Sequence, residues 1–215
     1  MPDLAIPIAF PEYKAHSDEI NKDVPSGHAG ILFVDARSGI TNYYEYGRYD
    51  PARRGLVQSK HIANAVRSGG TVTVHSLKKA FKDISHHAGH GGRLRAAWIE
   101  VADGGFDNMR TFCLSGVQAN QNPQRKAYDE VSNNCCTFAR AVADAGGAAI
   151  PFAVPLAYQA AAALSVPIWG NILFLVSASP IPNPFLTQLL TIYPGLEFKP
   201  PNTWTSAGLR PLEVN

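Results

Sequence analysis

Residues 1–26 form a polar N-terminal segment, with Asp18, Glu19, Lys22 and Asp23 ahead of Pro25, and patterned sequence begins at Gly27. Ile31-Leu32-Phe33-Val34 reads as a buried strand, Asp35 to Gly39 as a turn, and Ile40 to Tyr46 as a second strand rich in β-branched and aromatic residues. Together they predict a hairpin with His28 at its mouth. If residues 36–39 form a four-residue loop, Val34 faces Thr41, Leu32 faces Tyr43 and Gly30 faces Glu45. Side chains alternate along strands, so His28, Gly30, Thr41, Tyr43 and Glu45 then share one face, with Glu45 diagonal to His28. A slip of one residue would reverse every one of them.

Further along, Leu56 to Ile62, Thr71 to Val74 and Leu94 to Val101 read as strands. Ser76 is the expected N-cap of a helix that carries Leu77, Phe81 and Ile84 and stops at Gly89. Phe106, Met109, Cys113 and Val117 have helical spacing, which puts Cys113 in the core. Asn120 to Glu130 reads as a polar loop. It leads into a second helix that opens at Asn133-Asn134-Cys135-Cys136, carries Phe138, Ala139, Val142 and Ala143, and ends near Gly146-Gly147.

The last third has a different composition. From Ala145 to Leu196 there is no Asp, Glu, Lys, Arg or His. Prolines at 151, 155, 167, 180, 182, 184 and 194 cut it into pieces shorter than the ~20 apolar residues of a membrane span. Short helices at 156–166 and 184–191, packed on the domain as a lid or a lipid-contacting surface, are the expectation. The chain thus divides into the segment 1–26, a core at 27–147 and an apolar, proline-rich C-terminal extension at 148–215.

Composition narrows the function. The 46% hydrophobic content over 215 residues supplies a full core, and a net charge of +2 without a basic run argues against nucleic acid as a partner. Three cysteines, two of them adjacent, do not make a disulfide framework, which points to synthesis in a reducing compartment. Met1 to Phe10 lacks the charged and apolar regions of a secretory signal peptide. Export, if it occurs, therefore uses another route.

Three features could carry chemistry. A cysteine in the first turn of a helix meets backbone N–H groups and the positive end of the macrodipole, which bias its thiol toward thiolate. Neighbouring helical residues point about 100° apart, so one of Cys135 and Cys136 at most can face a given base. His28 is the candidate base, with Glu45, Tyr43 or Thr41 to orient the imidazole. The tract His86-His87-Ala88-Gly89-His90, with His75 nearby, resembles a metal-binding run, but its glycines end the helix and no Asp, Glu or Cys lies beside it, so it reads as an exposed loop. The glycine runs at 89–92 and 104–105 fit no phosphate-binding fingerprint and read as turns.

The order of these parts resembles a family. Gly27-His28-Ala29-Gly30 ahead of an apolar strand, followed later by Asn134-Cys135-Cys136-Thr137-Phe138 opening a helix, is similar to the circularly permuted papain-like hydrolases of the NlpC superfamily, among them the lecithin:retinol acyltransferase group. The resemblance covers roughly residues 27–146. It implies an α+β fold, an antiparallel sheet packed against the cysteine-bearing helix, with Cys135 as nucleophile, His28 as base and Cys136 as a packing neighbour. The family's third polar residue falls at Glu45, Tyr43 or Thr41, because no second histidine stands there. The run Tyr43 to Asp50 also resembles antibacterial effectors exported by type VI secretion.

Two enzymatic readings follow. One is a cysteine hydrolase, without cofactor, that cuts an amide of cell-wall peptidoglycan as a secreted antibacterial toxin. It would have an immunity protein and the secretion apparatus as partners and would act in a target-cell periplasm. The other uses the same residues on a lipid ester, as a phospholipase or acyltransferase. The third reading is a binding module whose cysteines are core residues.

Overall fold

The computed structural model describes residues 1–17, 22–24, 27–50, 52, 54–67, 71–129, 132–150, 182–200 and 203–207. Its order is β1 (Asp3–Phe10), β2 (Ala15–Ser17), β3 (Lys22–Val24), β4 (His28–Val34), β5 (Thr41–Gly47), β6 (Leu56–Lys60), α1 (Lys78–His87), β7 (Leu94–Ala97), β8 (Ile99–Val101), α2 (Gly105–Ala119), α3 (Cys135–Ala145), α4 (Pro182–Ile192), β9 (Gly195–Lys199) and β10 (Thr203–Ala207). The large sheet runs β10-β9-β7-β1-β4-β5-β6, with β8 also on β1, and its pairings are antiparallel. β2 and β3 pair separately.

The segment expected to be a polar lead-in contains the central strand. Leu4, Ile6, Ile8 and Phe10 fill one side of β1, and Ala5 and Ala9 the other. A strand buried on both faces reads as a continuous apolar run rather than an alternation. The charges at 18–23 hid it in the composition of the segment. Pro7, which has no N–H to donate, lies between the residues of β1 that pair with β8 and those that pair with β7. That gap is why Leu94 to Val101, expected as one strand, is two. At the break the Trp98 N–H continues the β7–β9 register and bonds the carbonyl of Pro194 at 2.7 Å.

The sheet is covered on both faces. α1 sets Ala80, Phe81 and Ile84, with Leu77 just ahead of it, against Ile6, Ile8, Leu32, Val34 and Tyr43. On the other side Met109 and Cys113 of α2, Ala139 and Val142 of α3, and Leu186 and Leu189 of α4 meet Ala5, Ala9, Ala29, Ile31 and Phe33. Asp3 ties the layers together. Its buried carboxylate accepts from the N–H groups of Ala36 (3.1 Å), Gly104 (3.1 Å) and Phe106 (3.0 Å), joining the β4–β5 turn to the start of α2.

The expected elements at 40–46, 106–117 and 135–146 are present within a residue or two, and the strand expected at 31–34 begins three residues earlier, at His28, which places the histidine in the strand itself. Thr71 to Val74 is not a strand. Thr73 and Ser76 exchange hydrogen bonds, Thr73 N–H to Ser76 Oγ at 3.0 Å and Ser76 N–H to Thr73 Oγ1 at 3.2 Å. The segment leads into a 3₁₀ turn at His75–Leu77, so Ser76, expected as the helix N-cap, lies inside that turn and α1 begins after Leu77. The helix expected at 184–191 spans 182–192, and the one expected at 156–166 lies outside the described residues. Beyond α4 the tail was expected to be helical, yet β9 pairs with β7 and extends the sheet. The boundaries expected at 26/27 and 147/148 therefore do not coincide with breaks in the sheet, which draws strands from both flanks. No helix among the described residues is long and apolar enough to cross a membrane.

Candidate active site

Cys135 is the first residue of α3, and the local sequence fixes it there. Asn134 is extended, and its side chain accepts from the N–H groups of Cys136 and Thr137, both at 3.0 Å. The Thr137 hydroxyl accepts from the Asn134 N–H at 2.8 Å, completing a reciprocal cap. The N-terminus of α3 abuts the start of β4, which sets the Cys135 sulfur beside the His28 side chain and the Ala29 N–H, close enough for both to act on its charge.

His28 owes its place to the hairpin register. Gly30 pairs with Glu45, Leu32 with Tyr43 and Val34 with Thr41, the register that the four-residue loop predicts. Glu45 Oε2 lies 3.4 Å from His28 Nε2 and accepts from the Tyr43 hydroxyl at 2.9 Å. Thr41, the remaining candidate on that face, is turned to Ala63 O and Asn64 Oδ1. Gly30 makes room for this arrangement, since a Cβ there would stand 2.2 Å from the Tyr43 hydroxyl oxygen.

Four further residues complete the surroundings, and the sequence pattern named none of them. Tyr49 holds its hydroxyl 3.1 Å from His28 Nε2 and also hydrogen-bonds Glu45. Tyr13 packs on the His28 ring with centroids 5.1 Å apart. Lys60 of β6 puts its ammonium 3.2 Å from Glu45 Oε1. The Tyr128 hydroxyl is 3.9 Å from Cys135 Sγ. Tyr128 stacks on Tyr46, and the bridge between Asp129 and Asn133 holds its loop, with Asn133 donating to Tyr46 Oη at 2.7 Å. Hairpin alternation and helix spacing carry no signal for such loop tyrosines; only the folded loops bring them in.

The charges are strongly coupled. Burial by itself would push the His28 imidazole down, but the hydrogen bonds and charges of Cys135 and Glu45 outweigh it and raise it to about 9. The Cys135 thiol falls well below its ordinary range. Its hydrogen bond with Cys136 contributes most, burial opposes it, and His28 and the Ala29 N–H add to the lowering. Cys136, expected only to pack, is fully buried in the core and also holds the neighbouring sulfur; burial and that neighbour drive its own thiol up. Burial likewise opposes ionisation of Glu45, yet His28, Lys60 and Tyr43 keep its carboxyl low. Together these favour a thiolate–imidazolium pair with an ionised carboxylate behind it. Cys113 stands apart in the core, its thiol pushed up to about 12 by burial.

The histidine tract joins no such cluster. α1 ends at His87, and His90 leaves the helix with a φ of +52° and stacks on Tyr13 at 5.2 Å. Among the described residues no three His, Cys, Asp or Glu side chains are grouped to hold a metal ion.

Comparison with known proteins gives a family. No curated protein sequence matches the chain. A solved structure described as the crystal structure of the type VI secretion system effector TseH superposes with a TM-score of 0.74 and 25% identity, over 96% of this chain and 98% of that one. A family model described as type VI secretion system effector TseH-like matches residues 5–148, from the central strand β1 through α3. On that match, which spans more than half of its length, the chain belongs to the family of TseH-like type VI secretion system effectors.

Proposed function

We propose that this effector is a thiol hydrolase with a permuted papain-like arrangement, and that it cuts an amide bond in the cell-wall peptide of a target bacterium. The observation that carries the reading is the packing of the α3 start, with Cys135, on the β4 start, with His28, both buried, His28 Nε2 lying 3.4 Å from Glu45. The histidine strand precedes the cysteine helix in the chain, an order that supports the permuted reading. Glu45 and Tyr49 occupy Nε2, which leaves Nδ1 for the sulfur.

The chemistry follows from those positions. The Cys135 thiolate attacks the carbonyl carbon, and negative charge moves to the carbonyl oxygen. The Cys135 backbone N–H, which as a first-turn group has no intrahelical acceptor, and the Tyr128 hydroxyl are the donors for that oxyanion. His28 gives its proton to the leaving nitrogen as the C–N bond breaks, leaving a thioester. It then takes a proton from water, whose hydroxide oxygen adds to the thioester, and the thiolate departs. With His28 raised to about 9 the protonated imidazole is the populated form at neutral pH, so the proton that a leaving amine requires is in place before the C–N bond breaks. An ester's leaving group needs that proton less, so the amide reading is the one that makes use of a protonated His28. Delivery by the secretion apparatus, action in the target periplasm and a neutralising immunity protein belong to the same proposal.

The test is direct. Purified protein is incubated with peptidoglycan and, separately, with phospholipid vesicles. New amino groups on peptidoglycan, absent with Cys135→Ala, are expected. Fatty-acid release from vesicles in place of amines would move the activity to lipid esters.

A further inference from the structure

Glu45 accepts more than an orienting carboxylate needs. His28 and the Tyr43 hydroxyl meet Oε2 at 3.4 and 2.9 Å, the Tyr49 hydroxyl also bonds the carboxylate, and the Lys60 ammonium meets Oε1 at 3.2 Å. Lys60 is itself held in place. It is paired across β5–β6 with Tyr43, its ammonium donates to Gln58 Oε1 at 3.0 Å, and it lies 5.7 Å from the Tyr49 ring centroid. The Glu45 side chain is 2% exposed and that of Lys60 25%.

The groups facing His28 are Cys135 from α3, Glu45 with its partner Tyr43 from β5, Tyr49 from the loop after β5, and Tyr13 from the loop after β1, with the Phe10 ring stacked behind. His90 lies beyond Tyr13, and Arg48 stands over Tyr128. When the pair is ionised, thiolate, imidazolium and carboxylate leave one negative charge in excess in a buried site. Such an excess is costly at low dielectric, and a fixed cation on the far oxygen of Glu45 cancels it.

We propose that Lys60 is a positioning residue of the site: its ammonium neutralises the excess charge behind His28 and so sets how readily the imidazolium releases its proton to the leaving group. The inference rests on the thiol-hydrolase reading, but its test needs no substrate. With the cation removed, Glu45 remains ionised in alkaline solution through its other donors. The imidazolium then loses a repulsive neighbour and holds its proton more tightly. The result is a poorer acid for the leaving amine.

The experiment follows iodoacetamide labelling of Cys135, read by peptide mass, from acid to alkaline pH. Wild-type protein should show a lower limb as the thiolate forms and an upper limb near about 9 as His28 loses its proton. In Lys60→Met and Lys60→Gln the upper limb should rise by about one pH unit, and in Lys60→Arg it should stay in place. Gln retains a donor to Glu45 without the charge, which separates the charge from the hydrogen bond. An upper limb unmoved in both neutral variants, with wild type two-limbed, overturns the role of Lys60 alone. A wild-type Cys135 that labels no faster than an ordinary thiol below neutral pH overturns the thiol-hydrolase reading and this inference with it. Unfolding of both neutral variants beside a folded Lys60→Arg would make Lys60 a structural residue and equally overturn the proposal.

Discussion

The two adjacent cysteines divide the work between them, and single substitutions separate their parts. Cys135→Ala removes the attacking atom, and peptidoglycan-cleaving activity should fall by at least about 10³-fold. Cys136→Ala keeps the nucleophile but deletes the partner that contributes most to holding the Cys135 thiol down. Activity near pH 8 should drop by less than about tenfold, and the acid limb of the labelling profile should move to higher pH. Equal loss in both variants would show that the sulfur facing His28 has been misassigned. Glu45→Gln removes one of the two charges that, with Cys135, hold His28 up, and rates should fall by about 10²–10⁴-fold with little change in KM. Of these residues, the shared face of His28 with Glu45, Tyr43 and Thr41 was legible from hairpin alternation, while the choice of Cys135 over Cys136 came from the family resemblance, because helix period alone says only that the two point apart. Tyr49 and Tyr128 were not, since a loop side chain's direction depends on what the loop packs against.

Two elements present the site, and each depends on a small local feature. The β4–β5 hairpin needs Gly30, because the Tyr43 ring occupies the space a side chain would fill. Gly30→Ala should destabilise the protein by about 1–3 kcal/mol in urea unfolding and, by displacing Tyr43 from Glu45, lower activity as well. Helix α3 needs its cap. Asn134→Ala should cost about 1 kcal/mol and reduce thiolate formation at Cys135, read as slower labelling below neutral pH. The hairpin register was readable because loop length and strand alternation together admit one pairing. The break at Trp98 was not, because its cause is Pro7, distant in sequence and adjacent only in the sheet.

Across the whole molecule the ion pair links stability to pH, and the signs can be worked out group by group. His28 is raised to about 9, so its contribution is complete below its ordinary value near 6.5 and is lost as pH rises through about 9. Cys135 is lowered, so its contribution is present above the ordinary thiol value near 8.5 and is lost as pH falls through its folded value. Between about 6.5 and 8.5 the two slopes cancel, because the ionised pair and an unfolded neutral pair bind the same number of protons. Urea-unfolding free energies should therefore be flat across that window and decline on either side. Removing residues 1–10 should abolish folding, since β1 is the central strand and Asp3 anchors the start of α2. Soluble, cooperatively unfolding protein after that truncation would contradict the central place of β1.

By itself the sequence determined the hairpin, its register once a four-residue loop is taken, the capped cysteine helix and the order of histidine before cysteine, all set by short-range periodicity and capping. Tertiary structure alone decided that β1, β9 and β10 from the two flanks complete the sheet, because strand pairing is a long-range choice among edges. It also brought Lys60, Tyr49 and Tyr128 around the Cys135–His28–Glu45 line. Electrostatic coupling acts through space between residues far apart in the chain, and no local pattern records it.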